Sequence, residues 1–133
     1  MLKKHSVNGI DIWRKPDQLN NSQIIIENNL HKFNLKDKVQ IYKGNIVNLP
    51  FSDQSYDIVT ASLVIHNIKN KQSQVKVIQE ACRVLKSKGK ILIFDLGDAK
   101  LYQQILKQCG MSNIQYQMLD LMEFGDVFQV LRL

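Results

Sequence analysis

Three polar side chains in this sequence stand at or just after segments with the composition of β-strands: Asp11, Asn45 and His66. A carboxylate accepts hydrogen bonds at two oxygens, an amide offers one carbonyl acceptor, and an imidazole, with an ordinary pKa of about 6.5, can take up a proton near neutral pH. Open α/β sheets bind ligands beyond the carboxyl ends of their strands. These three residues are therefore the first candidates for chemistry.

Alternating strand and helix patterns surround the candidates. Apolar runs and period-two alternation predict strands over 7–12, 39–42, 56–65, 91–95, 114–118 and 127–131. Apolar residues at helical spacing predict helices over 20–33, 71–86 and 101–109. The run 56–65 is apolar almost throughout, which is typical of a central strand covered on both faces. Gly89 is predicted to stop the second helix, and Asn20, Asn21 or Ser22 to cap the first.

This order of elements predicts an α/β fold. The sheet is expected to be Rossmann-like and mostly parallel, with helices on both faces. The last two strands lack a long helix between them, so they are predicted to form an antiparallel C-terminal pair. With 133 residues, 44% of them apolar, the sequence is predicted to form a single domain over 1–133.

Composition argues against a metal site and against a membrane span. The two cysteines, Cys82 and Cys109, form no metal-binding motif, so we predict free buried thiols and no metal site. No window approaches the length of a membrane span, and the basic N-terminus lacks an apolar stretch behind it. The sequence therefore predicts a cytoplasmic protein without a membrane partner.

The formal net charge of +6 raises the question of nucleic-acid binding. Residues 1–90 carry 15 basic and 7 acidic side chains, whereas residues 91–133 carry 3 and 5. The lysines are dispersed next to turns, which is typical of solvated surface rather than a binding stripe. We therefore predict no nucleic-acid partner.

Four short motifs occur in a fixed order along the chain. They are Gly-Ile-Asp-Ile-Trp at 9–13, Gly-Asn-Ile-Val-Asn-Leu-Pro-Phe at 44–51, Ser-Tyr-Asp-Ile-Val at 55–59, and Arg-Val-Leu-Lys at 83–86 followed by Gly-Lys-Ile-Leu-Ile at 89–93. In this order and spacing, the sequence resembles the class I S-adenosylmethionine-dependent methyltransferases. The resemblance implies S-adenosylmethionine as cofactor and a small-molecule methyl acceptor as substrate.

The first motif supplies the implied ribose site. Asp11 matches the family's acidic residue that accepts hydrogen bonds from the ribose hydroxyls, although a plain turn carboxylate is the alternative. Ile12 and Trp13 match the next positions, which contact adenosine. For Trp13, ligand contact and simple core packing both stay open.

The other implied site residues lie farther along the chain. Asn45 replaces the family's aspartate that accepts from the adenine amino group, so the hydrogen bond would lose its charge assistance; a turn role is the alternative. Ile46 would offer its backbone N–H to the adenine ring, and Ser62 would lie near the methionine part of the cofactor. His66 matches a position at the mouth of the acceptor pocket, as a catalytic base or simply as a helix cap.

One family element has no counterpart in this sequence: the first strand with its glycine-rich loop. The six glycines, at 9, 44, 89, 97, 110 and 125, form no such loop. In the family, that strand lies between the second and fourth strands. Three hypotheses remain open: a longer or split enzyme, direct pairing of the second and fourth strands, or a complementing chain or homo-oligomer that covers the gap.

The sequence therefore predicts a methyltransferase that transfers a methyl group to a small molecule, with activity of the isolated chain in question. The alternative is a non-catalytic methyltransferase remnant or interaction subunit that needs a partner chain.

Overall fold

The computed structural model describes residues 6–13, 22–121 and 126–132, with side chains up to residue 118. The chain divides into two compact units, Met1–Ile46 and Val47–Leu133. A single domain over 1–133 stays a prediction.

The first unit is a parallel strand pair with one helix. Its elements are β1 (Val7–Asp11), α1 (Gln23–Lys32) and β2 (Val39–Lys43). The two strands run parallel in continuous register, from Val7 opposite Val39 to Asp11 opposite Lys43. Both strand predictions are confirmed.

Helix α1 corrects one expectation from the sequence. Apolar residues at helical spacing, as in 20–33, ordinarily line the buried side of a helix, but none of the residues of α1 is buried. Ile24 is 68% exposed, and Phe33, which caps the helix C-terminus, is 64% exposed. Ser22 occupies the N-cap without a side-chain hydrogen bond, whereas the alternative caps Asn20 and Asn21 lie outside the described residues. Helical spacing thus identified the helix but not its burial, because burial depends on what covers the apolar side.

The second unit is built on a mixed four-stranded sheet. Its elements in chain order are β3 (Tyr56–Ser62), a 3₁₀ turn (Ile65–Asn67), α2 (Lys71–Val84), β4 (Leu85–Asp95), α3 (Ala99–Gln108), β5 (Gln115–Leu121) and β6 (Asp126–Arg132). The sheet order is β3-β4-β6-β5. Strands β3 and β4 are parallel, and β6 is antiparallel to both its neighbours. The predicted antiparallel pair at the C-terminus is confirmed.

Strand β3 is shorter and less covered than the sequence indicated. It ends at Ser62 because Leu63 adopts a left-handed backbone with φ of 51°, and the Leu63 N–H donates to the Phe94 carbonyl at 2.7 Å. Ile58 is 63% exposed, so the strand is not covered on both faces. An apolar run shows what a strand could bury, whereas burial itself requires elements packed on both sides.

Helix α2 also ends earlier than predicted, at Val84 rather than near Gly89. The N–H groups of Gln54 and Ser55 donate to the carbonyls of Arg83 and Val84, at 3.0 and 2.8 Å, so the preceding loop binds the carbonyls at the helix end. Leu85 then begins β4 directly. The segment 86–89 forms an irregularity inside this strand, because Leu85 pairs with Tyr56 whereas Lys90 pairs with Ile58.

Helices α2 and α3 pack on the second unit's sheet with well-formed N-termini. Asn70 accepts from the N–H groups of Gln72 and Ser73, and Asp98 accepts from that of Leu101. The most deeply buried apolar side chains, each at most 2% exposed, are Ile65, Ile78, Val84, Ile91, Ile93, Tyr102, Ile105 and Leu106. They place the core between β4 and the two helices. In the part of the chain that the structure describes, no helix has the length and apolarity that a membrane crossing requires.

Candidate functional site

The carboxyl ends of β1 and β2 bring two predicted site residues to one edge of the first unit. Asp11 is the last residue of β1 and lies in register with Lys43, the last residue of β2. The Gly44 N–H donates to the Asp11 carbonyl at 3.0 Å. Asn45, exposed, follows Gly44 directly. The parallel pairing therefore places Asp11 and Asn45 at the same edge of the first unit.

A tight turn fixes the orientation of Asp11. Its Oδ1 accepts a hydrogen bond from the backbone N–H of Trp13 at 2.9 Å. Trp13 itself has a φ of 59°, a left-handed conformation that is an outlier for a bulky side chain. Such conformations cost about 1–3 kcal/mol and concentrate at binding sites. The other carboxylate oxygen of Asp11 makes no hydrogen bond to a described residue.

Trp13 carries a second unusual feature. Its indole Nε1 is buried but has no hydrogen-bond partner among the described residues. A buried donor without a partner costs about 1–3 kcal/mol. Next to it, Ile12 is 43% exposed, and Ile46 is half-buried in the turn after β2. Trp13 thus carries a buried indole N–H that no described residue accepts, and ligand contact at this position stays a prediction.

In the second unit, the structure places the two other predicted residues at the end of β3 and in the turn that follows it. Ser62, the exposed last residue of this strand, lies in register with Phe94. His66 lies in the 3₁₀ turn that follows and is 25% exposed. It does not cap helix α2, because Asn70 does.

Asp95, which the sequence analysis did not single out, holds His66, and Tyr102 in turn binds Asp95. Asp95, the last residue of β4, is 1% exposed. Its Oδ1 is hydrogen-bonded to Nδ1 of His66, and its Oδ2 accepts from the His66 backbone N–H at 2.9 Å. The Tyr102 hydroxyl of α3 donates to the same Oδ2 at 2.8 Å. Asp95 stands at the carboxyl end of a strand, so the rule that selected Asp11 would also have found it.

Burial raises the pKa of the Tyr102 phenol, and its hydrogen bond to Asp95 raises it further. The hydroxyl therefore keeps its proton and acts as a donor to the carboxylate. Gly97 makes room for this contact, because a Cβ there would lie 1.9 Å from the Tyr102 hydroxyl oxygen. Asp95 is thus a carboxylate enclosed by donors.

The arginine of the fourth motif fixes a loop. Arg83 donates to both carboxylate oxygens of Glu80, each at 2.9 Å, and to the carbonyls of Leu49 and Phe51, at 3.1 and 2.8 Å. It also pairs with Asp53 at 2.7 Å. The Leu49 N–H donates to Glu80 at 2.8 Å. This cluster, the Arg83 clamp, holds the loop 49–53 against α2.

The Arg83 clamp strongly lowers the pKa of the buried Glu80 carboxyl group. Hydrogen bonds from Arg83 hold the pKa of Glu80 down at about 2, although burial opposes the shift and the Leu49 N–H supports it. Glu80 is only 4% exposed. A charge in such a position is tolerated because its partners satisfy both oxygens.

The cysteines are free but less buried than predicted, since Cys82 and Cys109 are both partly exposed. Burial raises the pKa of the Cys82 thiol to about 12, and a contact with Cys109 adds to this effect. A thiol with such a pKa is a poor nucleophile. Among the described residues, no group of three potential metal ligands comes together.

The predicted site residues thus form two groups, one in each unit. The first group lies at the carboxyl ends of β1 and β2 and consists of Asp11, Ile12, Trp13, Asn45 and Ile46. In the second group, Ser62 ends β3 and His66 follows it. Each group lies beyond the carboxyl ends of parallel strands, where α/β folds bind ligands.

Strands and helices that alternate along the chain, with parallel strand pairs in both units, define an α/β fold of the Rossmann-like kind. The family model described as "Methyltransferase domain" matches residues 2–93, more than half of the chain. The chain belongs to the class I S-adenosylmethionine-dependent methyltransferases, and this family implies S-adenosylmethionine as the cofactor.

Individual relatives agree with the family. The chain is 37% identical over 62 residues to a demethylmenaquinone methyltransferase of Lactobacillus johnsonii, covering 47% of this chain and 24% of that protein. It is 28% identical over 105 residues to a sarcosine/dimethylglycine N-methyltransferase of Aphanothece halophytica, covering 62% of this chain and 37% of that protein. Cattle, mouse and human relatives, matched over 36% of this chain, carry the name "probable tRNA methyltransferase 9B".

A solved structure supports the fold. A methyltransferase from Methanosarcina mazei superimposes with a TM-score of 0.71 at 17% identity, covering 98% of this chain and 82% of that one. The chain spans only 24–37% of the length of the two curated relatives described above.

Proposed function

We propose that this chain carries the adenosine-binding and acceptor-side residues of a methyltransferase that acts on a small molecule. The supporting observation is the parallel pairing of β1 and β2, which brings Asp11 and Asn45 together in the order of the family motifs. When bound, S-adenosylmethionine would supply an electrophilic methyl group.

The residues present fit this cofactor. Asp11 offers a carboxylate oxygen that no described residue occupies, which suits a ribose hydroxyl donor. Trp13 offers a buried indole N–H without a described partner and a rigid, left-handed backbone. Asn45 and Ile46 would contribute an amide and a backbone N–H to adenine, and Ser62 would contact the methionine part.

The experiment is calorimetric titration of the folded chain with S-adenosylhomocysteine at millimolar concentration. Asp11→Asn keeps an oxygen for the Trp13 N–H but removes the charge, so we expect affinity to fall about tenfold or more. Asp37→Asn is the matched control, because it makes the same change at an exposed position of the first unit. Its affinity should equal that of the unmodified chain.

Absence of any binding heat, with circular dichroism showing a folded chain, would overturn the proposal. That result would favour the alternative of a non-catalytic subunit. Equal losses in the two variants would instead show that only overall charge matters.

The small-molecule acceptor is proposed from two relatives whose names specify sarcosine or dimethylglycine and demethylmenaquinone. Transfer of a labelled methyl group would be measured with sarcosine, with a reduced demethylmenaquinone analogue and with bulk tRNA as separate acceptors. Label in tRNA alone would contradict the small-molecule proposal.

A further inference from the structure

His66 and Asp95 form a hydrogen-bonded pair at the carboxyl ends of two adjacent parallel strands. Nδ1 of His66 bonds to one carboxylate oxygen, and the backbone N–H of the same residue donates to the other at 2.9 Å. The side chain of His66 is 25% exposed, whereas Asp95 is only 1% exposed. The carboxylate of the pair is therefore buried, whereas the imidazole is partly accessible to solvent.

The protons of this pair can be assigned from the donors around it. An ionised carboxylate only accepts hydrogen bonds. Oδ2 of Asp95 already accepts from the His66 backbone N–H and from Tyr102. In the ionised form of Asp95, Oδ1 can likewise only accept, so Nδ1 of His66 carries the proton. In a neutral imidazole, Nε2 then bears the lone pair.

The backbone near the His66–Asp95 pair has two unusual features. Leu63 has a φ of 51°, rare for a bulky residue, and Asn67 donates to its carbonyl at 3.2 Å. On the other side, the absence of a side chain at Gly97 lets Tyr102 reach Asp95. A strained residue thus lies three positions before His66, and strained backbone is found most often at functional sites.

We propose that Asp95 is a positioning residue that keeps His66 in the Nδ1–H tautomer, so that Nε2 receives the proton of the methyl acceptor. The role in methyl transfer rests on the function proposed above. The acceptor atom's electron pair forms the bond to the methyl carbon, the carbon–sulfur bond breaks with its electrons left on sulfur, and the acceptor's proton moves to Nε2. This arrangement suits an acceptor whose attacking atom carries a proton, such as an amine or a hydroxyl group.

The test begins with ¹⁵N NMR of the imidazole rings in the full chain, without cofactor or acceptor. At about pH 9, where an ordinary imidazole is neutral, His66 should show a protonated Nδ1 and an unprotonated Nε2. His66→Gln assigns the signals against His5 and His31. A His66 ring with its proton on Nε2, or with both nitrogens protonated, would overturn the proposal.

Asp95→Asn should invert the tautomer. The backbone N–H of His66 can only donate, so the amide oxygen of residue 95 must replace Oδ2. The amide NH₂ then faces Nδ1, which has to accept, and the ring proton moves to Nε2. Tyr102→Phe is the matched control, because it removes one donor to Oδ2 but leaves the Nδ1 contact intact. An Asp95→Asn chain with the original tautomer would contradict the assignment.

Diethyl pyrocarbonate provides a second readout, because it acylates an imidazole nitrogen that bears a lone pair. His66 should react in the unmodified chain and in Tyr102→Phe, and at least about tenfold more slowly in Asp95→Asn. No reaction of His66 in the unmodified chain would overturn the base role. If these results hold but S-adenosylhomocysteine does not bind, the proposed function fails while the assignment of Asp95 stands.

Discussion

At the scale of single residues, Asn45 stands where the family motif has aspartate. The proposed adenine contact would therefore lack a charge. Hydrogen bonds to a charged acceptor are about twice as strong as neutral ones, a difference of about 1 kcal/mol. Asn45→Asp should therefore bind S-adenosylhomocysteine about fivefold more tightly in a calorimetric titration.

Asn48→Asp is the matched control for this prediction. It adds the same charge at an exposed position three residues farther along the chain. Its affinity should stay unchanged. An equal rise in affinity for S-adenosylhomocysteine in both variants would show that the added negative charge acts at a distance. It would argue against a contact between residue 45 and adenine.

Cys82 gives a second prediction at this scale. Because burial raises its pKa to about 12, its thiolate fraction at pH 8 is about 10³-fold below that of an ordinary cysteine. Alkylation by iodoacetamide, followed by peptide mass analysis, should be correspondingly slow. In Cys109→Ser the reaction should stay slow, since burial is the main cause; reaction at the rate of a free thiol would contradict this account.

The sequence was sufficient to find the residues beyond β1, β2 and β3, because position after an apolar run can be read locally. Asp95 has the same signal. Its pairing with His66, however, joins residues that are 29 positions apart in the chain. That contact depends on β3 and β4 being neighbours in the sheet, and no local sequence pattern contains this information. The strain at Trp13 was equally invisible, since a left-handed φ at a bulky residue runs against local preference.

At the scale of elements, the Arg83 clamp joins α2 to the loop 49–53. Its buried carboxylate makes stability depend on pH in a defined direction. The folded pKa of Glu80, about 2, lies below its ordinary value of 4.5. The stabilisation is therefore fully present above about pH 4.5 and is lost as the pH falls towards 2.

Glu80→Gln should thus reduce the free energy of unfolding at pH 7 by about 2–3 kcal/mol, measured by urea denaturation. The difference from the unmodified chain should shrink as the pH falls from about 4.5 to 2. Asp57→Asn is the control, because Asp57 is 83% exposed and pairs with the exposed Lys86, so its effect should stay below about 1 kcal/mol. A constant difference across this range would contradict the role of Glu80.

Element boundaries were harder to derive than element types. The sequence predicted the helix 71–86 from its apolar spacing and from Gly89, a residue that commonly ends helices. The helix stops at Val84 because Gln54 and Ser55 take its last carbonyls. These donors come from a loop about 30 residues earlier, so tertiary contacts rather than local propensity decide the end.

At the scale of the whole molecule, the described residues show two features that a partner could cover: large exposed apolar side chains, and strand edges without a neighbouring strand. Ile24 and Phe33 are 68% and 64% exposed in the first unit, and Ile58 is 63% exposed in the second. Strands β1 and β3 each pair on one edge only within the described part of the chain. Both features favour association.

We therefore predict concentration-dependent self-association in sedimentation velocity. Ile24→Ser combined with Phe33→Ser should shift the distribution towards monomer, whereas Asn28→Ser, a change at an exposed polar position of α1, should not. Added salt should not dissociate the assembly, because apolar contacts drive it rather than the net charge of +6. A monomer at every concentration would contradict this prediction.

The irregular segment 86–89 of β4 has a consequence for how the length of this chain can vary. Residues 90–94 pair with β3 in their own register after this segment. An insertion there would add to an existing bulge and leave the later pairs in place. An insertion between Ile91 and Asp95 would instead turn Asp95 to the opposite face, away from His66. Homologous sequences should therefore differ in length before Lys90 and keep a constant count from there to Asp95.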